Sequence, residues 1–345
     1  MSEAGSDRAE SWRQRGSYFS WAPADGTAPP VDVFHVESGD PANRTLLLVH
    51  GFPTCSVDWY ALADLLSDEF HVCALDFPGY GFSSKPVGWG YSLGRDAELI
   101  DHYLATVVGA ESAVVIAHDR GTSVSLMHTV EDVADRTRTH VEHLVLTNGN
   151  IFLPLSNLTD FQRLMLNPDS APAVLEIVTA QMLADGMGQT TFSPPRSAGD
   201  PEIAALATTF AHADGLKVIH ETIQYLVERA EHETEWLEAL GRTDVPTTVI
   251  WGMNDLVAPP RVALHTWDDF LMFKPGTNRV YLVPDAGHYV QNDRPEAVAS
   301  ALRHSLDPAS PTAPGPLTHT PGSPVLFDCS RDRMPVSADV IAGNV

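Results

Sequence analysis

Six short apolar runs, each leading into Gly, Asp or His, constrain this chain most: Thr45–His50, Phe70–Asp76, Ser112–Ala117, His143–Thr147, Thr247–Trp251 and Arg279–Val283. Runs that stay apolar without alternation are buried on both faces, the pattern of parallel strands joined by crossover helices. A preceding pair, Tyr18–Trp21 and Val31–Val36, supplies an antiparallel edge. The expectation is an α/β fold with a mostly parallel sheet of about eight strands, near the usual limit for one open sheet, and helices on both faces.

The fourth and fifth runs are separated by residues 150–241, far longer than an ordinary connection of roughly 2–6 residues. The segment carries helical patterns at Leu158–Leu166, Ala171–Leu183, Pro201–Ala211 and Leu216–Leu240, broken at Asn-Pro, Gly-Met-Gly and Ser-Pro-Pro. A helical cap over 150–241 is expected, inserted into a core of 17–149 and 242–306. Residues 1–16 are polar and charged, without the apolar run of a signal peptide, and read as a flexible N-terminus. Residues 307–345 are rich in Pro, Ser, Thr and Gly and read as a mostly disordered tail.

Charge narrows the partners. With 45 acidic against 21 basic residues the net charge is −24, which repels nucleic acid and anionic membranes and favours small-molecule chemistry. No stretch approaches the roughly 20 apolar residues of a membrane helix. Cys55, Cys73 and Cys329 show neither close pairing nor metal-ligand spacing, as expected of a reducing compartment. A cytoplasmic location follows as the default. His140, Glu142 and His143 lie in a polar turn and read as solvated surface, so no metal is expected.

The chemistry concentrates at the third run. Val114–Ser123 is a strand entering a small-residue turn with Asp119 at the apex. A strained strand-to-helix elbow of the G-x-S-x-G kind exposes a nucleophile there; Ala117 and Asp119 replace the first Gly and the Ser. A carboxylate attacking a saturated carbon gives an alkyl ester that water can cleave, so the electrophile is expected to be an sp3 carbon. Asp119 as a mere helix cap is the alternative. Ligand sites of open α/β sheets lie at strand carboxyl ends, and three further ends carry candidates: His50-Gly-Phe-Pro53, Gly252-Met-Asn-Asp255 and Asp285-Ala-Gly-His288. Asp119, Asp255 and His288 occur in the chain order nucleophile, acid, histidine.

Taken together with Asp76-Phe-Pro-Gly-Tyr-Gly-Phe-Ser83 and Arg294-Pro-Glu296, these motifs resemble the α/β-hydrolase superfamily over about Val31 to Leu306. The resemblance is to its aspartate-nucleophile branch of epoxide hydrolases, haloalkane dehalogenases and fluoroacetate-type dehalogenases. It implies the α/β-hydrolase fold with a cap before the acid-bearing strand. Asp119 would form the ester, His288 activate water and Asp255 orient the imidazole, with the Phe52 and Arg120 amides as oxyanion donors and no cofactor. Haloalkane dehalogenases usually carry Trp where this chain has Arg120, and the second Arg of fluoroacetate enzymes is here Ser123. An epoxide oxygen needs an acid, and Tyr225 is the one tyrosine of the cap, with His212 or His220 as possible assistants; Trp59 and Phe52 would shape the pocket. The Arg120 side chain would orient substrate or pair with Asp76 or another acid. Epoxide opening is thus the first reading, on a small hydrophobic substrate suggested by Phe152, Phe161, Met165, Met182 and Phe192. Dehalogenation by the same ester is the alternative, and a non-hydrolytic binding protein or a Ser123 nucleophile ranks lower.

Overall fold

The computed structural model describes residues 3–307 and 325–329. Its sheet has nine strands: β1 (Gly16–Trp21), β2 (Val31–Ser38), β3 (Thr45–Val49), β4 (His71–Leu75), β5 (Ser112–His118), β6 (His140–Thr147), β7 (Thr247–Gly252), β8 (Asn278–Val283) and β9 (Val325–Cys329), in the order β1-β2-β4-β3-β5-β6-β7-β8-β9. From β4 to β8 every neighbouring pair is parallel, while β1, β2 and β9 join antiparallel. Every residue of β3, β4, β7 and β8 is buried, as their unbroken apolar sequences require. The chain leaves β3 for β4 on one side and reaches β5 on the other, so the strand order reverses at β3 and opens a crevice at the strand carboxyl ends.

Helices α1 (Glu3–Arg15), α2 (Tyr60–Leu66), α3 (Leu93–His102) and α4 (Arg120–Val133) lie before β6. Between β6 and β7 come α5 (Asp160–Leu166), α6 (Ala171–Leu175), α7 (Ala180–Thr190), α8 (Pro201–Ala211), α9 (Ile219–Thr222) and α10 (Tyr225–Arg242); α11 (Pro260–Thr266), α12 (Val290–Asp293) and α13 (Pro295–Leu306) follow. Helix α2 packs with α12 and α13, and α3 packs with α4 and α10. No helix among the described residues is long and apolar enough to cross a membrane.

Four expectations are corrected. Within the segment expected to be flexible, α1 buries Ala9 and Trp12 completely, and the Trp12 indole donates to Ser56 Oγ at 2.9 Å. In the C-terminal segment, Val-Leu-Phe-Asp-Cys pairs with β8 as β9; this β-prone run was hidden by its Pro-rich surroundings. The remainder of that tail lies outside the described residues. Ala171–Leu183 is two helices, because Ile177-Val178 is β-branched and Thr179 accepts the Met182 amide as the cap of α7. Gly-Met-Gly does not end α7, which runs on to Thr190 with Leu183, Ala184, Met187 and Gly188 buried; packing overrides glycine's low propensity.

Candidate active site

Asp119 stands between β5 and α4 at φ 48° and ψ −119°, a conformation an L-residue rarely holds and one the surrounding structure must enforce. Two glycines allow the enforcement. A Cβ on Gly51 would lie 2.6 Å from the Asp119 Cβ, and one on Gly121 would lie 2.6 Å from the carbonyl oxygens of Val49 and His50. Only a bare backbone lets the end of β3 close against the elbow from both sides.

The buried Asp119 carboxylate is gripped at one oxygen and open at the other. Oδ1 accepts the Phe52 amide at 2.8 Å, and Oδ2 lies 3.4 Å from His288 Nε2. His288 Nδ1 is 2.8 Å from Asp255 Oδ2. Asp255 Oδ1 accepts the amides of Val257 and Ala258 at 2.7 and 3.0 Å. The three residues expected from the strand ends are thus brought together. Arg120 opens α4, so its amide belongs to the first-turn N–H groups that lack an intrahelical acceptor.

The charges follow from this geometry. Burial favours the protonated Asp119 acid, yet the facing His288 ring and the Phe52 amide hold its pKa below the usual range. Burial disfavours a charged His288, but Asp255 and Asp119 outweigh it and lift the imidazole to about 10. Two other histidines are kept neutral by burial, each near pKa 3. His50 donates from Nδ1 to the Gly51 carbonyl at 2.8 Å and accepts the Phe77 amide on Nε2 at 3.0 Å. His118 donates from Nε2 to the His288 carbonyl at 2.9 Å, holding the backbone of the catalytic candidate.

Asp119 and His288 open into a cavity of about 340 Å³, within the range of small-ligand sites. Its wall is mostly apolar, built by Phe52, Phe161, Val178, Met182, Leu183 and Met187, with Gln162 and three threonines as polar members. Gln162 sits in a capping box: Oε1 accepts the Thr159 amide at 2.8 Å, leaving its NH2 end for the cavity. The loop after α7 is tied to the His288 loop, since the Thr191 carbonyl accepts the His288 amide at 2.8 Å and Asp293 accepts both the Gly287 and Ser193 amides.

Other expected site residues lie elsewhere. Trp59 is fully buried in the core beside His118 and does not line the cavity; its apolar bulk is absorbed by the fold. His212 packs on Phe82 and is also absent from the cavity wall. Tyr225 is buried against Phe52, with ring centroids 5.7 Å apart, and does not line the cavity either. Its hydroxyl has the Asn150 side chain as polar neighbour, and burial with the Asp119 charge keeps the phenol protonated. The Arg120 side chain pairs with Asp96 and not with Asp76, under the rings of Phe77, Tyr80 and Tyr225. Asp76 instead accepts the Ser56 and Phe82 amides at 2.8 and 2.7 Å. Sequence reasoning missed Asn148, whose Nδ2 donates to Asp255 Oδ2 at 2.8 Å while Oδ1 accepts the Gly252 amide; its place just past the end of β6 was the available signal.

A strained strand-to-helix turn carrying Asp119 after β5, with Asp255 after β7 and His288 after β8, all at the carboxyl ends of a sheet whose strand order reverses at β3, is the arrangement of an α/β hydrolase. The model of the alpha/beta hydrolase family matches residues 46–301, and the chain belongs to that family. It is 33% identical over 291 residues to "Putative hydrolase LipZ" of Mycobacterium tuberculosis, covering 84% of this chain and 95% of that one. Haloalkane dehalogenase 2 of Mycobacterium bovis is 27% identical over 81% of this chain and 88% of its own length. The solved structure of the epoxide hydrolase CorEH superposes with a TM-score of 0.65 at 19% identity, over 86% of this chain and all of that one (100%); this last likeness concerns the fold.

Proposed function

We propose that the protein hydrolyses a small hydrophobic epoxide through an ester on Asp119, with the helices of 150–241 acting as the cap that encloses the substrate. The observation that carries the reading is the Asp119 carboxylate itself: ionised, held at Oδ1 by the Phe52 amide, and presented with His288 to an apolar cavity. Asp119 Oδ2 attacks a saturated ring carbon, the C–O bond breaks, and the electron pair leaves on oxygen, which takes a proton from a water molecule in the cavity. What favours an epoxide is that Arg120, at the position where haloalkane dehalogenases usually carry a halide-binding Trp, turns its side chain to Asp96 and adds no donor to the cavity wall. Esterification erases the Asp119 charge, one of the two that raise the His288 pKa, so the imidazole gives its proton to the hydroxide left by ring opening and becomes a base. Water then attacks the Asp119 carbonyl carbon while His288 takes its proton, and the Phe52 amide, already on Oδ1, receives the oxyanion. The tetrahedral centre collapses, the bond from the carboxyl carbon to the alkyl oxygen breaks, and that oxygen takes the proton from His288 as the diol leaves and the Asp119 carboxylate is restored. Asp255 holds the ring and stabilises its charge.

Dehalogenation is favoured by a different observation, the Gln162 NH2 at the cavity wall, since a halide leaves with N–H donors and needs no acid. Intact-mass measurement of His288→Gln after incubation with epoxides and alkyl halides distinguishes the two. The variant is expected to trap the ester: an adduct with the mass of the whole epoxide supports ring opening, and one lacking the halogen supports dehalogenation. Asp119→Asn is expected to form neither. Tyr225→Phe and Gln162→Leu are both expected to spare epoxide turnover, the first because the Tyr225 ring does not line the cavity. An adduct outside Asp119 overturns the reading.

A further inference from the structure

Far from the catalytic elbow, at the opposite end of β4, a second group of reactive side chains gathers on one face of the sheet. Glu37 on β2 and Cys73 on β4 are register partners, and His71 precedes Cys73 by two residues, so all three project to the same side. His71 Nε2 lies 2.9 Å from Glu37 Oε2 and 3.7 Å from Cys73 Sγ, and the three ligand atoms fall within 4.8 Å of one another. Tetrahedral zinc, with Zn–S near 2.3 Å and Zn–N near 2.0 Å, needs a sulfur–nitrogen separation of about 3.5 Å. The His–Cys edge already has that length.

The surroundings are those of a supported site. His35, two residues before Glu37, places Nδ1 3.4 Å from Glu37 Oε1. Its other nitrogen is held by Ser17 Oγ at 2.8 Å, and the Tyr103 hydroxyl lies 3.4 Å from Nδ1. Such outer partners orient metal ligands. His71 and Cys73 are buried, whereas the Glu37 side chain is 34% exposed, which leaves an entry path and room for a water. Thiolate with imidazole selects zinc over the hard ions calcium and magnesium.

We propose that Glu37, His71 and Cys73 bind one zinc ion, with a solvent water as fourth ligand, and that the ion fastens the β2–β4 pair. As the S–Zn bond forms, the Cys73 proton leaves to solvent; as Nε2 of His71 turns its lone pair to the ion, the proton it shares with Glu37 leaves too, and Nδ1 carries the proton of the bound ring. The site lies at the end of the strands opposite the reacting carboxylate, so zinc acts on stability and leaves turnover unchanged.

The test uses the full chain, stripped with chelator, dialysed and given one equivalent of Zn²⁺ or Co²⁺. Retention of one zinc per chain through gel filtration is expected, with a chelator-reversible rise in Tm. Cobalt is expected to give an intense near-ultraviolet thiolate-to-metal charge-transfer band. Cys73→Ala removes the band, Glu37→Gln weakens metal retention at least about tenfold, and Cys329→Ser changes neither. Failure to retain zinc, or a cobalt–thiolate band that survives Cys73→Ala, overturns the proposal. If Cys73→Ala does not fold, Glu37→Gln at its exposed position decides: undiminished retention there equally overturns it.

Discussion

Burial alone would leave Asp119 protonated and His288 neutral; Asp119 is charged because His288 faces it, and His288 because Asp255 and Asp119 flank it. A His288 pKa lifted to about 10 in the folded state, against 6.5 for an unperturbed ring, means the fold binds a proton the unfolded chain releases between those values. Its stabilising contribution is therefore complete below pH 6.5 and lost as the pH rises through about 10. The stability difference between wild type and His288→Gln, measured by urea unfolding, is expected to shrink steadily across that window. Arg120 offers a second case. Burial raises Asp96 to about 6 even with the guanidinium beside it, so Arg120→Met strands a buried carboxyl and is expected to cost about 3–5 kcal/mol near pH 8. The loss should be smaller at pH 5, where Asp96 can take up a proton. Residues whose role is set by turn chemistry, such as Asp119 at an elbow apex or Asp255 and His288 after strand ends, were legible in the chain. Those defined by their partner were not: nothing in the neighbourhood of Arg120 names Asp96, and nothing beside Asn148 names Asp255.

Elements carry their own constraint at the elbow. Gly121 starts α4 against the carbonyls of Val49 and His50, where a methyl group would intrude to 2.6 Å on backbone that cannot step aside. Gly121→Ala is expected to cost about 3 kcal/mol through overpacking and to move Asp119 relative to Phe52. Its thermal melt and its rate of Asp119 ester formation should fall together. The same contrast between local and tertiary signals explains which elements the sequence disclosed. Strands β3 to β8 announce themselves because burial on both faces demands largely apolar runs. The long helical pattern expected at Leu216–Leu240 is instead a 3₁₀ turn, His212–Val218, followed by α9 and α10. Ala213 and Asp214 take positive φ there, and only the packing around them decides it.

At the scale of the molecule, α1 joins distant parts. Arg8 pairs with Glu202 on α8, Glu202 also meets Arg196 at 2.7 Å, and Arg196 reaches Asp293 at 3.0 Å beside the His288 loop. Trp12→Ala empties a fully buried site and is expected to destabilise by about 3–5 kcal/mol. Limited proteolysis should then cut within 150–241 faster than in wild type; an unchanged pattern would show that α1 does not brace the inserted helices. The low hydropathy of residues 3–15 concealed this helix, since Ala9 and Trp12 are few among charged neighbours. Arg8 and Glu202 are 194 residues apart in the chain. At a ribosomal pace of about 5–20 residues per second, α1 waits roughly 10–40 s for its partner to be made. Throughout that interval Trp12 has Ser56 and Tyr60 to pack on, whereas the side of α1 that meets α8 waits for its partner, so closure of α1 on α8 is an event of late synthesis.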